Sequence, residues 1–303
     1  MAHGRQRDRS DSSMFAGSEL VRLARPHQWV KNAVVLAGLV FAQATDQPRS
    51  VAAALVAVVA FILASAATYV FNDLHDVAGD RHHPTKRARP LASGRISPTT
   101  AVWYGVSLLI ASLIVATAVS WVFAGIVLAY LMVTGMYTLM LKRLPIVDVI
   151  VIALGFVLRA AGGAVAVSVP ISPWLLLCAF LLSLFLGFGK RRAEFMLLKQ
   201  AAGEHRPSLN GYTLALLDQL VRISAVSALV AYAVYTLDVP AVPGSAIMVI
   251  TVPLVAFAIF RYLYLIYGKN LGGSPESLLY RDRWLLGSLI AWAAVVVLVT
   301  RFG

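Results

Sequence analysis

The sequence is poor in cysteine and in charged residues. It has a single cysteine, Cys178, which excludes any intrachain disulfide. Charged side chains make up 13% of the 303 residues, against 59% hydrophobic ones, and the 14 acids are outnumbered by 26 bases. Soluble domains carry about a quarter charged residues. The composition therefore excludes an ordinary soluble domain and, with a mean hydropathy of +0.78, indicates an integral membrane protein.

Long uncharged stretches divide the chain into membrane-spanning helices. A span needs about 20 apolar residues, and the segment 96–141 has no charged residue over a length that suits two spans. We predict an all-α protein with nine transmembrane helices around a cytoplasmic active-site cavity. The helices are expected at roughly 29–47, 50–71, 100–118, 121–141, 146–167, 172–189, 216–237, 243–264 and 284–301.

Residues 1–18 differ from the rest of the chain. They are polar and arginine-rich, and they lack the apolar core and small-residue cleavage site of a signal peptide. We predict a disordered cytoplasmic tail at 1–18 and a single transmembrane domain at 19–303.

Lysine and arginine concentrate in alternate loops. With nine spans and a cytoplasmic N-terminus, nearly all of the 26 Lys and Arg face the cytoplasm. Only Arg49 and Arg301 lie on the other side, and Arg159 lies within the membrane. This asymmetry satisfies the positive-inside rule. It predicts a multi-pass protein of the plasma (inner) membrane, with its C-terminus on the opposite side. Topology explains the net charge of +12, so we expect the bilayer and no nucleic acid as partner.

The first charged cluster follows the second predicted span and reads Asn72-Asp-Leu-His-Asp-Val-Ala-Gly-Asp80. On a continued helix, Asp73, Asp76 and Asp80 share one face. Carboxylates so close repel one another without a cation. Their hard oxygens suit Mg²⁺, which binds through one or two carboxylates plus substrate phosphates. We predict a magnesium site at Asp73, Asp76 and Asp80, completed by Asn72. The competing interpretation is a solvated acidic helix end.

A basic loop comes directly after this acidic motif. Pro84 and Pro90 stop long helices, so the loop presents its cations beside the carboxylates. Arginine binds phosphate oxygens through two N–H groups, while lysine acts as a point charge. The pattern predicts a site for a magnesium-bridged polyphosphate. Its predicted phosphate-binding cations are Arg81, Lys86, Arg87 and Arg89.

The acidic motif resembles the first motif of the UbiA prenyltransferase superfamily. Those proteins place two motif-bearing cytoplasmic loops, four helices apart, over a cavity in the bundle. The resemblance implies that the second loop contains Gly189-Lys-Arg-Arg-Ala-Glu194. Most members have a second Asp-x-x-x-Asp pair there, whereas cations at 190–192 would repel a second metal and attract a bare phosphate. Together with the strings at 25–32, 80–90 and 275–282, this departure resembles the decaprenyl-phosphate phosphoribosyltransferase branch.

That resemblance implies an Mg²⁺-dependent transfer of 5-phosphoribose from 5-phosphoribosyl 1-pyrophosphate to a polyprenyl phosphate, in cell-wall arabinan precursor synthesis. The aspartates would hold Mg²⁺ on the donor's pyrophosphate, and the loop cations would contact its phosphates. Lys190, Arg191 and Arg192 would position the acceptor's phosphate. Glu194 would contact ribose or orient those cations, and the sequence leaves both roles open. A homo-oligomer is compatible with the sequence.

Further positions have a substrate-binding and a structural interpretation. Lys31 and Asn32 at the first span, and Tyr137 and Lys142 after the fourth, would contact substrate or anchor the membrane interface. Charges inside a membrane are functional candidates by default, which applies to Asp148 and Arg159. These two lie about 17 Å apart along the helix, too far to pair directly.

We predict that Arg159 lines the lipid cavity. Tight helix packing through neighbouring glycines is the alternative. The cluster of Tyr262, Tyr264 and Tyr267 is typical of an interfacial belt.

Two other functions remain open at this point. An aromatic prenyltransferase of the same superfamily would use the first motif with a prenyl diphosphate, but the second acidic pair is missing. A transporter or flippase would concentrate polar residues at mid-membrane in broken helices, whereas the charge here gathers at one surface.

Overall fold

The computed structural model describes residues 17–41, 46–82, 85–200, 207–237 and 248–302. Helices make up most of these residues. Short 3₁₀ helices lie at Lys86–Ala88, Leu141–Arg143, Pro207–Gly211 and Val249–Thr251. The main elements are α1 at 17–23, a longer 3₁₀ helix at Pro26–Leu36, α2 (Ala37–Phe41), α3 (Pro48–His82), α4 (Pro98–Val119), α5 (Trp121–Leu139), α6 (Val147–Ala166), α7 (Pro173–Gln200), α8 (Leu214–Leu237), α9 (Val252–Gly268), α10 (Pro275–Arg281) and α11 (Arg283–Phe302).

Seven of the described helices are long and apolar enough to cross a membrane. They are α3 to α8 and α9 together with the turn before it. The pair α10 and α11, bent by 90°, forms an eighth span if it is counted as one. The prediction of an all-α membrane protein is confirmed, and its predicted tail lies outside the described residues apart from 17 and 18.

The first predicted span, 29–47, is not one α-helix. Its described part is the 3₁₀ helix Pro26–Leu36 followed by α2, and 42–45 lie outside the described residues. This segment presses directly onto the backbone of α6. A Cβ on Gly163 would lie 1.9 Å from the carbonyl oxygen of Val35, and one on Gly38 would lie 2.6 Å from the amide nitrogen of Ala164. Glycine is therefore required at both positions.

Helix α3 carries the acidic motif beyond the apolar part of the bundle. It has 35 residues and continues past the predicted end at 71 to His82. At about 1.5 Å per residue it is about 50 Å long, whereas the hydrocarbon core of a bilayer is about 30 Å thick. The motif therefore lies on a continuous helix, which was the condition for its aspartates to share one face.

The two largest apolar clusters of the described residues lie in different halves of the bundle. In the first half, Phe61 of α3 packs edge-to-face against Phe123 and Tyr130 of α5. In the second half, Phe185 of α7 packs with residues of α8 and α9, including Leu217. Helix α6 contacts α5 on one side and α7 on the other, so it joins the halves.

Charged residues meet at one end of the bundle, which we call the charged end. Ion pairs there connect the end of α3 to the turn after α5, α7 to α6, and α7 to α8. The helix ends that carry the predicted motifs are thereby held side by side.

Candidate active site

Asp73 and Asp80 form a buried carboxylate pair at the charged end. Both side chains accept hydrogen bonds from Nη1 of Arg89, at 3.0 Å to Oδ1 of Asp73 and 2.6 Å to Oδ2 of Asp80. Arg25, which precedes the first 3₁₀ helix and has a left-handed φ of 52°, also donates to Asp73 and lies over the ring of Tyr69. Two guanidinium groups thus hold the pair from opposite parts of the chain.

Asp76 faces a different group of side chains. It accepts a hydrogen bond from Nζ of Lys142 at 2.6 Å and lies 2.9 Å from Nδ1 of His75. Residues seven apart on a helix nearly coincide in direction, whereas Asp76 is rotated about 60° from Asp73. On this continuous helix the three carboxylates lie within about 60° of one another, and Asp76 differs from Asp73 and Asp80 in its partners. Within the described residues, no group of three His, Cys, Asp or Glu could hold a metal ion.

The pair still fits the donor set that magnesium uses. Mg²⁺ binds through one or two protein carboxylates and takes its remaining ligands from water and substrate phosphates. Asp73 and Asp80 offer two carboxylates beside two arginines that can contact phosphate oxygens. Asn72 lies half-buried next to the pair. The magnesium site at Asp73, Asp76, Asp80 and Asn72 remains a prediction, and Asp73 and Asp80 are the carboxylates in it that share one arginine.

The cations of the basic loop separate into two groups. Arg89 reaches the carboxylates, whereas Arg81, Lys86 and Arg87 are exposed. The tight turn at Lys86–Ala88 carries Arg89 back towards α3. Arg89 is therefore the described loop cation that the fold brings to the site.

Arg191 forms the centre of the second loop. It is 2% exposed, and its Nε donates to Oδ2 of the fully buried Asp148 at 2.7 Å. Its Nη1 donates to Glu194 at 2.8 Å. Tyr137 lies within electrostatic range of the same guanidinium. Asp148 and Glu194 thus hold Arg191 in place, which favours, of the two roles left open for Glu194, the orientation of the cations over contact with ribose.

Two hydroxyl groups complete the shell around Asp148. Ser208 donates to Oδ2 at 3.3 Å, and Tyr212 donates to Oδ1 at 3.2 Å. The Tyr212 oxygen also accepts from the backbone N–H of Ile146, which has a positive φ of 66°. Burial raises the pKa of Tyr212 to about 12, so the phenol keeps its proton and can donate. The start of α6 is therefore tied to the loop before α8.

Arg192 faces away from Arg191. Its Nε donates to Asp218 of α8 at 2.6 Å, and its guanidinium lies 4.3 Å from the ring centre of Tyr267. Neighbouring helix residues point about 100° apart, which explains why the two arginines have different partners. These contacts favour a structural role for Arg192 over the substrate-binding role predicted from the sequence.

Lys31 and Lys190 both lie within electrostatic range of Glu276 in α10. Lys31 Nζ lies 3.5 Å from Oε1 of Glu276 in α10, and Gln28 donates to the same oxygen at 2.7 Å. Lys190 lies within electrostatic range of Lys31 and Glu276. Among the described residues, Lys190 has no direct ion pair.

Arg159 is buried between α3, α5 and the first 3₁₀ helix. It donates to the side-chain oxygen of Asn32 at 2.9 Å, to Tyr130 at 2.7 Å and to the carbonyl of Gly155 at 3.2 Å. Asn32 is fully buried and also contacts Ser65. In the described part of the chain, Arg159 has no carboxylate within ion-pair distance. It is a buried cation with neutral partners.

Several residues of this site were not predicted. Arg25, Gln28 and Glu276 lie in the strings at 25–32 and 275–282, which carried the family resemblance but were not assigned roles. Tyr130 carried no signal in the sequence, because a tyrosine in an apolar segment is typical of helix packing, and Tyr212 lies in the polar stretch before α8, where no motif marks it.

Comparison with known proteins places the chain in a family. The profile of the UbiA prenyltransferase family matches residues 33–286. The decaprenyl-phosphate phosphoribosyltransferase of Mycobacterium tuberculosis is 35% identical over 296 residues, which cover 96% of this chain and 97% of that protein. The protein of the same name from Mycolicibacterium smegmatis is 33% identical and covers 92% of this chain and 91% of its own length.

A solved structure has the same fold. A UbiA homolog from Archaeoglobus fulgidus bound to GPP and Mg²⁺ superimposes with a TM-score of 0.72 at 21% identity, covering 92% of this chain and 99% of that chain. The chain therefore belongs to the UbiA prenyltransferase family and groups within it with the decaprenyl-phosphate phosphoribosyltransferases.

Proposed function

We propose that the protein transfers 5-phosphoribose from 5-phosphoribosyl 1-pyrophosphate to a polyprenyl phosphate such as decaprenyl phosphate, and that the transfer depends on Mg²⁺. The observation that carries the proposal is the second loop. There Lys190, Arg191 and Arg192 stand where an aromatic prenyltransferase would need carboxylates for a second metal. Lys190, which has no direct ion pair among the described residues, suits an acceptor that brings its own negative charge, which a lipid phosphate does.

The donor's pyrophosphate would bind at the first motif. Asp73 and Asp80 would hold Mg²⁺, which when bound neutralises negative charge on the departing pyrophosphate. Arg25 and Arg89, now paired with these carboxylates, would turn to the phosphate oxygens of the donor. Lys142 lies on the neighbouring side of α3 and would contact the donor from there. These residues bind and orient the leaving group.

The reaction is a displacement at C1 of the ribose. A lipid phosphate oxygen forms the new bond to C1 while the C1–O bond to pyrophosphate breaks, and the electron pair leaves with the pyrophosphate. C1 is inverted by this in-line attack. A phosphate monoester has its second pKa near 6 and is largely dianionic at pH 7, so it needs no general base. The protein's contribution is alignment and charge neutralisation, and the product is a decaprenylphosphoryl-phosphoribose that serves cell-wall arabinan synthesis.

The proposal includes the placement in the membrane. The 3₁₀ helix Pro26–Leu36 and α2 would supply most of the first of nine crossings, and α10 would lie at the surface before α11 crosses. The charged end, with its cavity, would face the cytoplasm of a cell whose inner membrane holds the protein. The concentration of Lys and Arg at this end supports that orientation. Labelling of single cysteines at the exposed Arg87 and Trp121, in a Cys178→Ser background, tests it in intact cells.

The transfer is tested with purified protein, Mg²⁺, labelled 5-phosphoribosyl 1-pyrophosphate and polyprenyl phosphate. We expect label in the lipid fraction, and its loss on chelation. Asp73→Asn should reduce the rate at least about 1000-fold, because the Mg²⁺ that neutralises the departing pyrophosphate loses a protein ligand. Asp46→Asn, an exposed aspartate near the other end of α3, is the matched control and should keep full activity.

Two outcomes would contradict the proposal. Prenylation of 4-hydroxybenzoate from a prenyl diphosphate, without any lipid-linked ribose label, would identify an aromatic prenyltransferase. Full activity of Asp73→Asn would show that the metal assignment is wrong.

A further inference from the structure

A second cationic centre consists of lysines and not of the arginines that hold the first motif. It consists of Lys31 from the first 3₁₀ helix and Lys190 from α7, with Glu276 of α10 beside them. Both Lys31 and Glu276 are largely shielded from solvent. Three separate parts of the chain thus place two lysines around one carboxylate, and we call this group the lysine cradle.

Positive charge exceeds negative charge around the lysine cradle. Lys31 lies within electrostatic range of Arg159 and Arg25 as well as Glu276. Lys190 lies within electrostatic range of Glu194, Arg191 and Glu276. Arg191 and Glu194 pair with each other, so they offset each other's charge. An excess of buried cations is costly unless an anion compensates it, so the cradle favours a doubly negative ligand.

Tyr262 supplies an independent observation at the same place. Its side chain is 3% exposed, its ring packs edge-to-face on Phe185, and its hydroxyl is buried without a hydrogen-bond partner among the described residues. That hydroxyl lies 3.7 Å from the position of a Cβ on Gly189, the residue before Lys190. It also lies within electrostatic range of Glu276. Buried hydroxyl groups in proteins almost always have a hydrogen-bond partner, so the hydroxyl of Tyr262 is available to donate a hydrogen bond to a ligand.

A close backbone contact holds these groups together. A Cβ on Gly272 would lie 3.1 Å from the carbonyl oxygen of Gly189. This contact brings the loop between α9 and α10 against α7 and sets Glu276 beside Lys190. The position of Tyr262 relative to Lys190 therefore follows from the packing of α7, α9 and this loop.

We propose that the lysine cradle and the hydroxyl of Tyr262 bind a phosphate monoester, and that this is the phosphate of the lipid acceptor. Glu276 holds Lys31 in the absence of the lipid and yields that place to the phosphate. The surroundings favour a lipid over the donor's sugar phosphate, because Tyr262 and Phe185 belong to the apolar cluster of the second half. The inference rests on the proposed function and replaces Arg191 and Arg192 as acceptor ligands.

The test compares Tyr262→Phe with Tyr264→Phe in the full-length protein. Tyr264 lies on the same helix, is 48% exposed and is the matched control. Binding of farnesyl phosphate is measured without donor, and KM is measured for polyprenyl phosphate and for 5-phosphoribosyl 1-pyrophosphate. Tyr262→Phe should raise the Kd for farnesyl phosphate and the KM for the lipid about tenfold, the value of a hydrogen bond to a charged group. The donor's KM and both values in Tyr264→Phe should stay unchanged.

Lys190→Gln should act in the same direction with a larger increase in Kd. The Tm of each variant is recorded, because a purely structural role of Tyr262 would lower Tm without changing Kd, and that result would overturn the proposal. Unchanged farnesyl phosphate binding in Tyr262→Phe would overturn it as well. An increase confined to the donor's KM would assign the cradle to the sugar phosphate and reject the lipid.

The two proposals fail in different ways. Wild-type protein that binds farnesyl phosphate through Tyr262 but transfers no ribose would contradict the proposed function and support the phosphate site. Wild-type protein that transfers ribose, together with unaltered lipid binding in Tyr262→Phe and Lys190→Gln, would support the function and overturn the site.

Discussion

The two arginine–carboxylate groups at the charged end differ in how firmly they are held. Arg25 and Arg89 form ion pairs with Asp73 from positions in loops, and the side chain of each arginine is partly exposed to solvent. Arg191 is almost completely enclosed, and its partner Asp148 is fully buried with two further hydroxyl donors.

This difference separates exchangeable from permanent ion pairs. The arginines of the first group are partly exposed, so they can turn from the buried carboxylates to a substrate, whereas Arg191 and Asp148 are both buried and the removal of either leaves an uncompensated charge. The first group can therefore give its arginines to a substrate phosphate. The second group fixes the shape of the loop beside Lys190.

Of the substitutions that test this difference, we expect Arg191→Lys to have the largest effect on stability. Arg191→Lys removes the guanidinium that serves Asp148 and Glu194 together, and so weakens the compensation of the fully buried Asp148 charge. We expect the free energy of unfolding to fall by about 3 kcal/mol. Thermal unfolding of the purified protein in detergent measures this. An unchanged Tm would mean that the second group is as exchangeable as the first.

The same substitution at Arg89 should have a different consequence. Arg89→Lys keeps a cation near Asp73 and Asp80 on a partly exposed loop, so Tm should stay close to the wild-type value. The loss of two-pronged phosphate contact should raise the KM for 5-phosphoribosyl 1-pyrophosphate about tenfold. Steady-state kinetics with the lipid saturating measures the effect. A fall in Tm with unaltered kinetics would reverse the assignment of the two groups.

The smallest effect is expected at Tyr212. Tyr212→Phe removes one of the hydroxyl donors to Asp148 and should cost about 1 kcal/mol of stability. The pKa of this phenol is raised to about 12 from 10.0, so the unfolded chain releases the proton first. Its contribution is complete below pH 10 and is lost as the pH rises towards 12. The difference in Tm between wild type and Tyr212→Phe should therefore shrink over that range, and a constant difference would contradict this assignment.

Much of the fold could be predicted because apolar length determines membrane helices. The long helices were predicted from uncharged segments, and the place of the acidic motif from its position after the second of them. The first span was predicted less well, because its geometry depends on contact with α6. Gly38 and Gly163 let two backbones meet there, and a hydrophobicity pattern carries no information about a partner more than a hundred residues away.

Parts of the site could be predicted to a similar degree. The acidic motif, Arg89, Lys142 and Lys31 were identified from residue type and position. Tyr262 was assigned to an interfacial belt together with Tyr264, although one is buried and the other exposed. Local sequence cannot distinguish them, since both lie on an apolar helix and only the packing of α7 decides which one is enclosed.

The sequence alone determined that this chain is a helical membrane protein of the UbiA family with an acidic motif at the end of a long helix. Hydrophobic length and residue chemistry are local properties, so the order of the residues was sufficient. Only the tertiary structure decided which charges are available to a substrate. Arg191 and Arg192 are neighbours, yet the helix turns about 100° between them. One meets Asp148 of α6 and the other Asp218 of α8, so the role of each depends on a carboxylate from a distant helix.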